Sequence, residues 1–356
     1  MDKPINICVG TVGQGIYHSP DSGESWKHIR YPLWLESQVR PLTLDPNDPS
    51  TIYAGDETGV FRTRDGGANW ERLNFPSKLE PHHERMTKPV DGYGTEPTMS
   101  TLHVWSIAVD PKDANTIYVG TRPSYVFRTR DGGDTWEQLP ADLPKECKFG
   151  TTRVLTLLVD PTDSDTIWLG VEIGGVFQSR DGGKSWRRLN LANEDPNGLD
   201  PEPQLDVHSI ISNGSTDHEI IISTVNQVFA TKDKGDSWYR VVGSKDFPIP
   251  YCRCLAVKTD DPNVWFLGNG DSAVGTVGLI QKSIDGGKSW NPCQLPVEQT
   301  NSNIFMFATN PTDPNLILAS TLFGEVYRSD DAGDSWKKLK REFNEVRGLA
   351  WAPANG

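Results

Sequence analysis

The chain has 356 residues, with 35 Lys and Arg against 48 Asp and Glu, a formal net charge of −13 and a sequence pI near 5.0. An acidic chain with no basic run and no interleaved basic-aromatic stripe excludes the electrostatic footprint of nucleic-acid or anionic-membrane binding, and most of its acidity reads as solvated surface. No apolar run is long enough to span a bilayer as a helix, and no charged n-region followed by an apolar h-region opens the sequence.

In chain order, the first element is the apolar stretch from Ile5 to Gly10, followed by the phrase Ser19-Pro-Asp21-Ser-Gly23-Glu-Ser25-Trp26. That phrase returns six more times in the form Ser/Thr-x-Asp-x-Gly-x-Ser/Thr/Asn-Trp, with its aspartates at Asp65, Asp131, Asp181, Asp233, Asp285 and Asp331. The chemistry is that of a tight turn: a short polar side chain bonds its own backbone, glycine supplies a positive φ, and tryptophan folds back as an apolar clamp. A β-rich segment such as Gly59–Thr63 or Tyr125–Thr129 precedes each copy, and another such as Trp70–Leu73 follows, so each phrase is the tip of a hairpin. Successive aspartates lie 44 to 66 residues apart, room for four short strands and their loops. Seven such units predict an all-β, seven-bladed propeller of four-stranded blades forming a single domain over residues 1–356.

The ends of the chain predict how the ring closes. Ile5–Gly10 matches Thr51–Gly55 and Thr116–Gly120, the second strand of a blade, while Glu345–Pro353 matches the inner strands Val104–Pro111 and Val154–Pro161. The C-terminal strand is therefore expected to complete the blade that the N-terminal strands begin, which removes an open edge.

The repeated phrase is the Asp box, and over essentially the whole chain the sequence resembles the Asp-box, or bacterial neuraminidase repeat, propellers of the sialidase-like superfamily. That superfamily includes sialidases, xyloglucan-cleaving glycosidases, sortilin-type receptor domains and the photosystem II assembly factor, so the resemblance implies the fold and leaves activity open. A sialidase would need an arginine triad, for which Arg40, Arg253 and Arg347 stand available, but also six blades and a Tyr-Glu nucleophile pair. Seven boxes, and no glutamate partner for Tyr251 or Tyr93, argue against it. Xyloglucan-type enzymes use two propellers with opposed aspartates, a poor match to one propeller.

Within a propeller the Asp boxes share one face, and the links into the inner strands share the other with the turns between second and third strands. The second face is the candidate site. It carries the longest link, Asn74 to Leu102, expected as a lid or binding loop, and a second from Asn190 to Leu205. Aligned inner strands place Arg40, Trp105, Leu155, His208, Arg253, Phe305 and Arg347 at one level of the mouth. Arginines and aromatics at that level predict an anion site, because guanidinium groups form bidentate bonds with carboxylate or phosphate. Nearby turns supply Asp56, Glu57, Arg122, Glu172 and Asp271. In one reading these acids simply pair with the arginines and tie the blades together.

Two functions follow, from different classes. In the first, a small carboxylate-bearing or sugar-derived anion is bound, and hydrolysed or eliminated, in the funnel. His208 would act as the proton-transfer group with Glu57 or Glu172, and Arg40, Trp105, Arg122, Arg253, Phe305, Arg347 and His103 would bind the ligand. In the second, a non-catalytic scaffold of the photosystem II assembly factor type grips a protein on the same face. No cofactor is expected. A zinc site would have to join His103 and His208 with His82 or His83, and perhaps Glu84, without a recognised ligand spacing. Calcium at the boxes is excluded by their single aspartate. The five cysteines, an odd set without metal spacing, read as reduced thiols in a cytoplasmic protein, although a leader removed upstream fits the same residues.

Overall fold

A computed structural model describes residues 4–77, 102–191, 206–214, 218–243 and 245–354. Its strands form seven four-stranded antiparallel sheets, arranged as the blades of a β-propeller, and one two-stranded hairpin over residues 146–151. The inner strands of blades 1 to 7 are Val346–Pro353, Leu42–Asp45, His103–Asp110, Val154–Asp160, Val207–Ser212, Tyr251–Lys258 and Ile304–Ala308. Blade 1 is shared between the two ends: Ile5 pairs with Pro353 and Gly10 with Gly348, with Ile16–Ser19 and Lys27–His28 outside them. The C-terminal strand thus closes the ring, as the matching of the ends predicts. Most of the outermost strands are only two residues long, such as Glu71–Arg72 and Lys337–Lys338, which leaves little exposed edge for strand addition.

The hydrophobic core runs between the blades. Cys8 and Ile16 of blade 1 and Ala350 of its closing strand pack with Ile52, Ala54 and Phe61 of blade 2, and comparable clusters recur around the ring. Close approach of neighbouring blades requires glycine at the end of the second strands. A β-carbon on Gly120 would lie 2.4 Å from Ser106 Oγ and 2.6 Å from a Val154 methyl of the next blade. One on Gly55 would lie 2.2 Å from Val104 of the blade that follows it.

Each Asp box is a self-satisfied turn. In blade 4 the Ser179 hydroxyl donates to Asp181 Oδ1 and accepts the Gly183 N–H, both at 2.8 Å. Asp181 in turn accepts the Ser185 N–H at 2.9 Å and its hydroxyl at 2.6 Å. The box tryptophan donates back to the box glycine, Trp186 Nε1 to Gly183 O at 3.2 Å. Blade 5 departs from this pattern in that Trp238 Nε1 is buried without an acceptor, and the boxes of blades 1, 5 and 7 hold Ser22, Lys234 and Ala332 at φ 64°, 58° and 56° where other blades have glycine. The serine hydroxyl and N–H bonds hold Asp181, Asp233 and Asp285 down at about 2, below the usual carboxylate range. Asp56, in a buried turn of blade 2, goes the other way. Burial, with the Glu57 charge beside it, pushes it up to about 7.

These arrangements have measurable consequences. Gly120→Ala should destabilise the fold by roughly 1–3 kcal/mol, read from urea unfolding, because the added methyl must displace the neighbouring blade. The depressed box carboxylates contribute stability that is present above their unfolded values near 3.8 and lost as they protonate, so the melting temperature should fall as pH drops from about 4 to about 2. Asp56 contributes with the opposite sign: its term is full below about 4 and lost as pH rises through about 7. Asp56→Asn, which keeps the acceptor used by Thr58 and Gly59, should therefore flatten any decline in melting temperature between about pH 4 and about pH 7.

Candidate functional site

All seven aligned mouth residues line one cavity of about 300 Å³ at the end of the central channel opposite the Asp boxes. What brings them together is a repeated backbone irregularity. In blades 3 to 7 the pairing of inner and second strands slips across a single residue, and that residue is Trp105, Leu155, His208, Arg253 or Phe305. Arg347 occupies the same slip in the closing strand of blade 1. Arg40 precedes its strand, held where its N–H donates to the Gly55 carbonyl at 3.2 Å. A bulge re-aims the side chain it carries, so the ring sends one residue per blade into the throat.

Guanidinium groups stack on both aromatics. The Arg40 guanidinium carbon lies 4.1 Å from the Trp105 ring centre, and that of Arg153 lies 4.3 Å from it. Around the ring, Arg253 and Arg347 lie 4.1 and 4.5 Å from the centre of Phe305. Arg153, two residues before the Leu155 bulge, is a further cation against Trp105, beside the cavity lining, that alignment by bulge position does not single out. Burial lowers the pKa of Arg40, and its neighbours Arg347 and Arg153 lower it further. Burial likewise lowers that of Arg347, opposed by Glu345 and reinforced by Arg253. Both remain cations at neutral pH, since a guanidinium starts far above it.

The acids stand behind this layer. Arg153 donates both Nε and Nη2 to Glu172, and Arg347 donates to Glu345 Oε1 at 2.5 Å. Arg40 donates instead to the neutral Gln38 Oε1 at 2.5 Å, while Glu57 accepts the Gln38 N–H at 2.8 Å. Asp271 is used within its own turn by Thr276. Among the described residues, no carboxylate lines the cavity, and neither Arg40 nor Arg253 forms an ion pair.

His208 is partnered otherwise than its sequence reading with Glu57 or Glu172 expects. Its Nδ1 donates to the Cys252 carbonyl at 2.7 Å, and its Nε2 lies 3.2 Å from both Asp206 Oδ2 and the Tyr251 hydroxyl. The physical reason is placement: Glu57 and Glu172 stand on turns of blades 2 and 4, whereas Asp206 and Tyr251 flank the histidine directly. Burial first and the Arg253 charge second lower the His208 pKa against the pull of Asp206, and its side chain is 0% exposed. The imidazole is thus enclosed and engaged at both ring nitrogens rather than an open proton acceptor.

His103 and Arg122 face each other across the first two strands of blade 3. Neither lines the cavity. His103 on blade 3 and His208 on blade 5 are separated by blade 4. Among the described residues no group of three or more His, Cys, Asp or Glu converges as a metal site. His82, His83 and Glu84 lie outside the described residues, as do most of the 74–102 link and residues 192–205.

Comparison with known proteins agrees with this architecture. The family model of the photosynthesis system II assembly factor YCF48 matches residues 95–246. No curated protein matches the sequence. The structure of YCF48 from Cyanidioschyzon merolae is 16% identical with a TM-score of 0.58, the match covering 88% of this chain and 89% of that one. A structure of YCF48 bound to D1 peptide is 17% identical with a TM-score of 0.53, covering 85% and 81%. The GH74 xyloglucanase from Xanthomonas campestris is 21% identical with a TM-score of 0.58. This chain spans only 47% of that enzyme's length, and 38% of an ancestral GH74 enzyme that is 15% identical with a TM-score of 0.59. At these identities the structural likenesses establish fold alone, and with the seven boxes and seven closed blades they lead to one assignment: the chain is a seven-bladed β-propeller whose blades carry the Asp-box turn.

Proposed function

We propose that this propeller is a non-catalytic scaffold that receives an extended peptide segment of a protein partner on the face opposite the Asp boxes. The observation that carries the reading is the rim of that face. Large apolar side chains stand exposed on its links and turns: Trp34 at 45%, Phe149 at 71%, Val274 at 54% and Phe323 at 43%. They surround a throat whose lining charges are cationic, which gives the occupant its chemistry: apolar anchors for the rim and an anionic group for the centre. Phe149 stands at the tip of the 146–151 hairpin, with the Lys148 ammonium 5.0 Å from its ring. The peptide held by YCF48 in the similar structure lends support to the same use of this fold.

The alternative, hydrolysis or elimination of a small anion, has less in its favour. Its proton-transfer group, His208, is enclosed and doubly engaged, and its carboxylates Glu57 and Glu172 accept bonds from Gln38 and Arg153. The glycosidase neighbours contribute a fold of about twice this length or more. A reducing, cytoplasmic setting belongs to the same proposal and is supported by five unpaired cysteines.

The test is selection of a random C-terminally displayed peptide library against the protein and against a Trp34→Ser/Phe149→Ser variant. Peptides binding in the micromolar range should emerge, and the double variant should weaken them at least tenfold with its melting temperature unchanged. Recovery of no peptide above background, or equal binding to both proteins, would overturn the reading.

A further inference from the structure

We infer that the throat is a receptor for a carboxylate attached to a short apolar group, whether a free acid or the terminal carboxylate of a peptide. Three observations carry it independently of the rim. The first is geometric. Arg40, Arg253 and Arg347 hold their guanidiniums 4.1 to 4.5 Å from an aromatic ring centre in the lining of one cavity, and Arg253 has no carboxylate partner among the described residues, which leaves its charge for an anion.

The second is the state of the donors. Arg40 Nε and Trp105 Nε1 are both enclosed without a hydrogen-bond partner, although both residues line the cavity. Buried donors left unpaired are costly, and an acceptor brought to these two residues would relieve that cost. The neutralising acids do not fill that role, because Glu345 and Glu172 bind their arginines outside the lining.

The third is the rest of the lining. Beyond the arginines the lining carries a tier of Leu42, Ile107, Leu157, Leu255 and Phe307, interleaved with Thr43, Ser106, Thr156 and Ser209, of which the Ser106 and Thr43 hydroxyls already donate to the Val154 and Ile107 carbonyls. A strongly hydrated inorganic anion would gain nothing from that tier, whereas a carboxylate bearing an alkyl or aryl body would bury its apolar surface there while its head meets the guanidiniums. A cavity of about 300 Å³ suits a small group of this kind, not a polymer segment. For the terminal-carboxylate source, the inference rests on the docking reading above; for the free acid it does not.

The experiment is isothermal titration of the protein with hexanoate, acetate and 1-hexanol, and with N-acetyl-Leu-Leu as free acid and as C-terminal amide. Hexanoate should bind at least tenfold more tightly than acetate, which lacks the apolar body, and than hexanol, which lacks the charge. Arg253→Gln should remove its binding. Should that variant fail to fold, Trp105→Phe keeps the ring and deletes the unpaired donor, and should weaken hexanoate roughly tenfold. Binding of the peptide acid but not the amide assigns the terminal-carboxylate source. Binding of hexanoate with neither peptide assigns a free acid, and leaves the rim proposal to its own selection experiment. Equal binding of hexanoate and hexanol, no binding of any carboxylate, or full retention by the variants would overturn the receptor.

Discussion

Pairing of Val346–Pro353 with Ile5–Thr11 is the constraint on which the rest depends, because it turns seven wedges into a closed ring. Without that ladder blade 1 would lack its inner strand, and the inner strands of blades 7 and 2 would face an open gap. The closing strand also carries Arg347, which stacks on Phe305 of blade 7 and interacts electrostatically with Arg40 of blade 2. The throat is therefore assembled by the same event that completes the fold, and a ring-opened chain would have neither. Long-range closure of this kind is entropically costly, and the repeated interblade cores offset that cost.

Inside the ring, charge is ordered by depth. Three guanidiniums line one narrow space, with a fourth, that of Arg153, against Trp105 beside it, in a protein whose formal net charge is −13. Each guanidinium–aromatic contact contributes about 0.5–2 kcal/mol depending on desolvation, the same order as like-charge repulsion at the effective dielectric of a protein surface. Stacking and the outer carboxylates together make the cluster tolerable while leaving its inner side cationic. An acidic exterior around a cationic throat also shapes which anions enter. Apolar and rim contacts must offset the repulsion an anion meets on approach, which favours a ligand with more than charge to offer.

Much of this was legible in the residues. The Asp boxes announce seven hairpins because turn chemistry is local: Ser179, Asp181, Gly183 and Trp186 find their partners within a few residues of one another. Matching the inner strands by their Asp-Pro ends, or by their apolar pattern where that pair is missing, reached the seven mouth residues for a similar reason, since the strands enter the throat at the same register. Arg153 escaped because it lies two residues before a bulge, and only the packed ring lays it against Trp105 of the preceding blade. Asp206 escaped as the partner of His208 because a nearby acid in the sequence says nothing of which side chains share a cavity wall.

The sequence by itself determined the number of blades, the order of strands within them and the blade where the ring closes, because each follows from repeated short-range chemistry and from the pairing needs of two chain ends. The tertiary structure alone decided which charges face the channel. Glu172 turns to Arg153 across the two inner strands of its own blade, and His208 is enclosed by Cys252 and Tyr251 of the next blade, contacts whose geometry no local pattern encodes.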